Sequence, residues 1–363
     1  MFTSEERVVI AMSGGVDSSV CALLMKEQGL QCIGMTMRLW KGEEAESSCS
    51  LGSCCGAESV EDARLVAETI GIPYYPINFR KEFWEGVVSP FVEEYSIGRT
   101  PNPCIRCNEK LKFVSLYEKA VEIGASKVCT GHYARIRWDE NTQRWQLWRG
   151  VNAQKDQSYF LFSMTQEQLA ITCFPIGKYE TKKEIRQIAE QHGLVTAKKP
   201  ESMDICFVPD KDYAGFIARH FPDKLGKKGS IRHVSGQLLG EHKGIHHFTI
   251  GQRKGLRVSY HEPLYVKDLI PETGEVVVGN RTEACWEECR IEQMNWIDPL
   301  PQGPIEVSMK LRSRGMEVVG KVIPESPHSA LVQFLEPQLG VTPGQAAVFY
   351  AGPRVVGGGW ISR

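Results

Sequence analysis

Three stretches of the chain combine residue types and spacings that could do chemistry. The first, Ser13-Gly14-Gly15-Val16-Asp17-Ser18-Ser19, follows a short apolar run and opens an apolar pattern of helical period. Glycines let a backbone approach phosphate oxygens without a Cβ in the way. A helix N-terminus behind them offers N–H groups and a partial positive charge, with serine hydroxyls as further donors. A capped turn is the alternative, since Ser and Asp are ordinary N-caps. Strand, loop and helix in that order favour phosphate binding. No Walker lysine accompanies the loop, so γ-phosphate transfer of the P-loop kind is not its natural chemistry.

The other two stretches carry thiols. Thr100-Pro101-Asn102-Pro103-Cys104-Ile105-Arg106-Cys107-Asn108 sets two cysteines beside Arg106, just ahead of a helical pattern. A cation and a helix N-terminus both raise the thiolate fraction of a thiol. Ser202-Met203-Asp204-Ile205-Cys206-Phe207 presents a lone cysteine between Pro200 and Pro209. The plainer readings are half a zinc site for the first pair and a small buried hydrophobe for Cys206. Cys285 and Cys289 lie in an acidic segment and do not supply a convincing second ligand pair. Cys49, Cys54 and Cys55 sit in a Gly/Ser-rich loop and read as incidental to a flap, while Cys21, Cys32, Cys129 and Cys173 fall in apolar elements and read as core. His132, beside Gly131 at a strand end, suits a site role or a structural one.

Such groups need elements to hold them. RVVIAM (Arg7 to Met12), CIGMTM (Cys32 to Met37), IPYYPIN and KVCTGHYA read as strands. They alternate with helical patterns that run from the glycine loop towards Gly29, from Glu58 to Ile70 and from Leu111 to Ile123. This alternation predicts an α/β domain with a doubly wound parallel sheet over residues 1–212. Residues 213–287 predict a small basic central domain: from Asp223 to Arg257 there are eight Lys or Arg against two acids, with four histidines interleaved. That asymmetry suits a nucleic-acid backbone, although a solvated face would look similar. Residues 288–363 break into short alternating runs divided by Pro and Gly, which predicts a small β-barrel or sandwich.

Composition excludes several classes. The 363 residues are 42% hydrophobic and 24% charged, with a net charge of −1, the balance of an ordinary globular protein and not of a disordered or fibrous one. No apolar run is long enough to span a bilayer, and the acidic start does not suit a secretory signal, so a cytoplasmic protein is expected. Twelve cysteines in this length fall short of a disulfide scaffold, and in a reducing compartment they lean towards thiol or metal chemistry.

The loop SGGVDSS resembles that of the N-type ATP pyrophosphatases, which cleave ATP between its α and β phosphates and adenylate an oxygen. Taken with MTMRLW, GRTPNPCIRCN, KVCTGHYAR, KDQSYFL, SMDICFVP and FTIGQRKGL, the whole chain is similar to the bacterial tRNA 2-thiouridylases of that superfamily, enzymes that sulfurate the wobble uridine. The resemblance implies a Rossmann-like pyrophosphatase domain followed by the central domain and a β-barrel. It implies that Cys107 is the nucleophile and Cys206 the persulfide carrier, the two forming a disulfide between turnovers. It places ATP against Ala11, Met12, Ser13, Gly14, Gly15, Val16, Asp17, Ser18, Met37 and Gly131. Asn102, Pro103 and Cys104 would meet the target base, and Lys155, Asp156, Gln157, Arg312 and Ser313 the tRNA. Read without it, Lys155-Asp156-Gln157 would be a surface turn.

Cys104 stands where the best-known branch has aspartate, so that acid or base role does not carry over. Some tRNA thiolases with paired cysteines and a distant third hold a [4Fe–4S] cluster. Cys104, Cys107 and Cys206 fit that pattern too, which leaves persulfide relay and cluster-bound sulfur both open. ATP with Mg²⁺, tRNA, and a sulfur-donor relay protein or cysteine desulfurase are the expected cofactors and partners. The rivals are an amidating ATP pyrophosphatase, which would need no cysteine, and an RNA-binding protein that forms no AMP.

Overall fold

The computed structural model describes residues 6–39, 56–201, 205–208, 212–225 and 228–362. Cys49, Cys54, Cys55 and the expected flap lie outside these. The chain divides into two compact units, one of residues 1–87, 104–211 and 353–355, the other of residues 88–103, 212–352 and 356–363.

In the first unit, β1 (Arg7–Ala11), β2 (Gln31–Arg38), β3 (Tyr74–Asn78), β4 (Lys127–Thr130) and the short β7 (Thr172–Cys173) form a parallel sheet in the order β3-β2-β1-β4-β7. The central strand is buried on both faces, which is why Val8, Val9 and Ile10 run without alternation. Helices α1 (Val16–Glu27) and α2 (Ala57–Ile70) follow β1 and precede β3. Val20, Leu23 and Met25 of α1 and Ala63 and Val66 of α2 share one core cluster with Val8 and Ile10. Burying each such aliphatic side chain contributes about 1.5–3 kcal/mol before entropy is counted. Cys21, Cys32 and Cys129 are buried in this core and Cys173 is partly so, as expected. Burial pushes the Cys32 thiol up to about 11, so it stays protonated.

One element was not legible: the run KVCTGHYA is not a single strand. The chain leaves β4 at Thr130 and re-forms as a hairpin of β5 (Ala134–Asp139) and β6 (Arg144–Arg149), with Trp138 against Trp145 at 5.2 Å.

In the second unit, β8 (Gly229–His233), β9 (Leu238–His242), β10 (Tyr265–Ile270) and β11 (Glu275–Gly279) make a sheet in the order β10-β11-β8-β9. Ile231, Val266, Val276 and Val278 form its core. His233 and His246 of the basic stretch are buried and belong to the packing, not to an outward basic face. The remaining strands are β12 (Cys285–Trp296), β13 (Ile305–Lys310), β14 (Val318–Ser326), β15 (Ser329–Leu339), β16 (Ala346–Ala351) and β17 (Arg354–Ser362). They run in the order β12-β15-β14-β13-β16-β17, and antiparallel pairing of β12 with β17 closes the barrel. Its interior holds Ile291, Met309, Val322, Val332, Phe349 and Ile361.

Candidate active site

From β1 the strand order runs one way to β2 and β3 and the other way to β4 and β7, so the sheet reverses between β1 and β4. Ligand crevices of doubly wound sheets open at the carboxyl ends of strands at such a reversal. The glycine loop leaves β1 there, and Gly131 follows β4. The two loops touch: a Cβ on Gly131 would lie 2.7 Å from the carbonyl carbon of Asp17. Gly14 is likewise required, with φ +69° and the Ser59 carbonyl oxygen 2.1 Å from where a Cβ would sit.

The loop is built by its own bonds. Met12 N–H donates to Met35 O at 2.8 Å, and the Thr36 hydroxyl donates to Met12 O at 2.7 Å, fixing the chain as it leaves the sheet. Ser18 Oγ donates to Gly15 O at 2.9 Å and accepts from Ser13 N–H at 3.1 Å, while Ser19 Oγ donates to Gly15 O at 3.0 Å. Ser18 and Ser19 are buried, so these hydroxyls shape the loop and do not project from it; Ser13 alone of the three is exposed. Gly15 is the N-cap of α1 and no side chain caps the helix, which removes the plain capped-turn reading. Val16 is core, Ala11 is half-buried, and Met37 is half-buried on β2.

Around Asp17 stands a group of side chains that the sequence did not announce. Tyr133 donates its hydroxyl to Asp17 Oδ1 at 2.7 Å, and Lys182 Nζ lies 2.5 Å from the same oxygen. Lys182 also stands 3.4 Å from Glu201, whose other oxygen accepts from Lys155 at 2.6 Å. Burial and the Asp17 carboxylate together push the Tyr133 phenol far above its usual range. Burial raises the Glu201 carboxyl, but the hydrogen bond from Lys155 and the charge of Lys182 outweigh it and leave it below the ordinary value. On the other flank, Lys199 reaches Asp62 at 2.5 Å and Ser59 Oγ at 3.2 Å. The Thr181-x-x-Glu184 capping box that starts the helix Lys182–Gln191 is visible in the sequence, but its partner Asp17, 165 residues away, is not.

Lys155-Asp156-Gln157 is a tightly bonded turn. The Asp156 carboxylate accepts from Gly150 N–H and from Ser158 N–H, both at 3.1 Å, and Gln157 Oε1 accepts from Tyr133 N–H at 2.9 Å. Asp156 and Gln157 therefore spend these groups on the fold, and Lys155 pairs with Glu201. His132 is buried, with Nδ1 2.6 Å from the Thr130 hydroxyl and Nε2 3.5 Å from Lys112 Nζ. Burial first, and Lys112 second, hold its imidazole well below the usual range, so it is neutral.

Cys104 is exposed and Cys107 half-buried on the short helix Pro103–Cys107, anchored by fully buried Ile105. The chain passes from Cys107 into a π-helical stretch, Asn108–Ser115, so Cys107 lies inside a helical run and not ahead of one. Arg106 is engaged by Glu109 at 3.1 Å, which divides the cation that the sequence assigned to the thiols. Asn102 and Pro103 are buried. Cys206 is half-buried, next to Phe207, which packs edge-on against Phe83 at 5.6 Å. None of the nine described cysteines is in a disulfide. Among the described residues no three His, Cys, Asp or Glu side chains assemble as a metal-holding group, Cys104, Cys107 and Cys206 included. Arg312 and Ser313 lie between β13 and β14, Arg312 exposed and its carbonyl accepting from Gly315 N–H at 3.1 Å.

The fold and this loop define a nucleotide-binding α/β domain joined to two β-domains. Family models match in the same order: tRNA methyl transferase HUP domain over residues 6–210, tRNA methyl transferase PRC-barrel domain over 214–280 and aminomethyltransferase beta-barrel domain over 286–361. The tRNA-specific 2-thiouridylase MnmA 2 of Thermoanaerobacter sp. (strain X514) is 48% identical over 358 residues, 98% of each chain. The MnmA proteins of Heliobacterium modesticaldum and Geotalea uraniireducens are 46% and 47% identical, over 99% of this chain and 93% and 95% of theirs. The chain belongs to the tRNA-specific 2-thiouridylase family. No helix among the described residues is long and apolar enough to cross a membrane.

Proposed function

We propose that this chain catalyses ATP-dependent 2-thiolation of the wobble uridine of tRNA, releasing AMP and pyrophosphate. The observation that carries the reading is near-full-length similarity to 2-thiouridylases at close to half identity, on a chain whose uncapped glycine loop sits at the sheet reversal. The uridine loses its N3 proton as O2 attacks the α-phosphorus and pyrophosphate leaves. The terminal sulfur of a Cys206 persulfide then adds at C2 and AMP departs, leaving the base joined to Cys206 through an S–S bond. Attack of the Cys107 thiolate on Cys206 Sγ breaks that bond, forms the Cys107–Cys206 disulfide and frees 2-thiouridine, which regains a proton. An external thiol reductant restores the pair, and a persulfide-bearing donor protein recharges Cys206.

Gly14, Gly15 and the start of α1 receive the phosphates, Gly131 and Met37 border the nucleotide, and Mg²⁺ offsets triphosphate charge. Asn102 to Cys104 meet the base, and Lys155 and Arg312 supply cations to the tRNA backbone. An anticodon-loop base is easier to take out of its stack than a duplex one. The test incubates the chain with unmodified tRNA, Mg-ATP and a persulfide donor, then digests the RNA and measures 2-thiouridine by mass spectrometry. Product at the wobble position with one AMP per sulfur is expected; AMP without thiolated base would point to the amidating rival.

A further inference from the structure

Four of the described cysteines lie outside the sulfur-transfer chemistry: Cys21 on α1, Cys32 on β2, Cys129 on β4 and Cys173 on β7, all packed into one core cluster. Two of them are bonded neighbours. β7 runs parallel to β4 with Cys173 in register with Cys129, and both side chains enter the same cluster, so the two thiols share one face of the sheet. The Cys129 thiol donates a hydrogen bond to Cys173. That bond first holds the Cys173 thiol below its ordinary range; burial opposes it, and the charges of Lys127 and Lys178 assist. Cys129 is pushed the other way, by the same bond and by burial. Cys173 is half-buried on a two-residue edge strand, whereas Cys129, Cys21 and Cys32 are buried. A nucleophilic thiol within reach of solvent, with a protonated thiol at its side, is the arrangement of a redox-reactive dithiol. Neighbouring strands lie about 4.8 Å apart and the Cβ atoms of a disulfide about 3.8 Å, a difference that a short edge strand can close.

We propose that Cys129 and Cys173 form a reversible oxidation site, with Cys173 the peroxide-reactive thiol and Cys129 its resolving partner. The Cys173 thiolate attacks one oxygen of hydrogen peroxide; the O–O bond breaks, hydroxide leaves and a sulfenic acid forms. The Cys129 sulfur then attacks the Cys173 sulfur, its S–H proton and the sulfenic hydroxyl leave as water, and the Cys129–Cys173 disulfide remains. Two electrons pass from the thiols to the peroxide, and a dithiol reductant returns them by thiol–disulfide exchange. Burial keeps Cys21 and Cys32 protonated, so they take no part. The new bond ties the edge strand to β4 just ahead of Gly131, whose backbone lies against Asp17. The site is independent of the roles given to Cys107 and Cys206.

The reduced full chain is treated with hydrogen peroxide, alkylated without reduction, digested and mapped by mass spectrometry, with Cys129→Ala and Cys173→Ala alongside. In the unaltered protein a peptide pair joined through Cys129 and Cys173, and separated by dithiothreitol, is expected. Without the resolving thiol, Cys173 of the Cys129→Ala variant should be caught as a sulfenic acid by dimedone. In Cys173→Ala, Cys129 should stay unlabelled. Before oxidation, iodoacetamide at neutral pH should alkylate Cys173 at least about tenfold faster than Cys32, because reactivity follows thiolate fraction and access. The cross-link and the alkylation rates are read on the unaltered protein, so they decide the matter even if a variant fails to fold. Alkylation of Cys173 no faster than that of Cys32 overturns the proposal. So does peroxide that oxidises Cys107 or Cys206 but leaves Cys129 and Cys173 as thiols, or a Cys173–Cys21 bond in place of the one to Cys129.

Discussion

The glycine loop and the cysteine-bearing segments are held in contrasting ways. The loop is pinned from within and below: Ser18 and Ser19 bond to Gly15, Met12 is tied to β2, and Gly14 and Gly131 bring backbones into contact. Cys104 and Cys107 ride a helix of five residues secured by Ile105, and Cys206 depends on the burial of Phe207 and Val208 beside it. Phosphate binding needs fixed N–H groups, so preorganisation serves it. Sulfur transfer requires one thiol to be charged with sulfur, presented to a base and then met by a second thiol. Those encounters require thiols that can be reached, and Cys104 is exposed while Cys107 and Cys206 are half-buried.

Experiments can break or sharpen this contrast. The largest effect is expected from Cys107→Ser and Cys206→Ser: 2-thiouridine formation falls at least about a thousandfold, as for other lost nucleophiles, while calorimetric binding of the ATP analogue is unchanged. Weakened nucleotide binding in either variant would show that the two regions are not independent. Next is Gly131→Ala, whose methyl group overlaps the Asp17 backbone. Overpacking of this kind costs about 1–3 kcal/mol, so a melting point several degrees lower is expected together with loss of nucleotide binding. Gly15→Ala is the control for the fold, since a Cβ there meets only Ser13 Oγ at 3.6 Å and φ is −105°; its melting point should stay within a degree or two.

Cys104→Ala sharpens the thiol half. Thiolation within a few-fold of the unaltered protein, with no iron or acid-labile sulfide in either after anaerobic purification, fits persulfide relay. About four irons lost in the variant would instead establish a cluster.

The smallest effect concerns pH. His132 is held below its unfolded value of about 6.5, chiefly by burial. Below that pH the unfolded chain takes the proton that the folded one refuses, so this contribution is present above about 6.5 and is lost as the pH falls towards the folded value. Urea midpoints from pH 7 to 5 should therefore fall less steeply for His132→Gln than for the unaltered protein. Equal slopes would mean that His132 does not carry the effect.

The sequence by itself determined what local pattern can encode. RVVIAM became β1, Glu58 to Ile70 lies in helix α2 (Ala57–Ile70), and the Pro/Gly-divided runs after residue 288 fold into strands of the barrel. Strand, glycine turn and helix were adjacent in the chain, so the nucleotide loop was legible as a unit. The hairpin β5–β6 was hidden because its polar and aromatic residues do not alternate cleanly: Arg135, Arg137 and Trp138 sit on a partly exposed ladder. The roles of Ser18, Arg106 and Asp156 were also tertiary decisions, because a side chain's nearest partner decides whether it faces a ligand or the fold. Lys182 shows the limit most plainly. Nothing near Asp17 in the chain supplies a positive charge, and only the packing of α1 against the helix Lys182–Gln191 brings the two together. Local order follows from backbone geometry and hydrophobic period; which charges meet follows from how the layers pack.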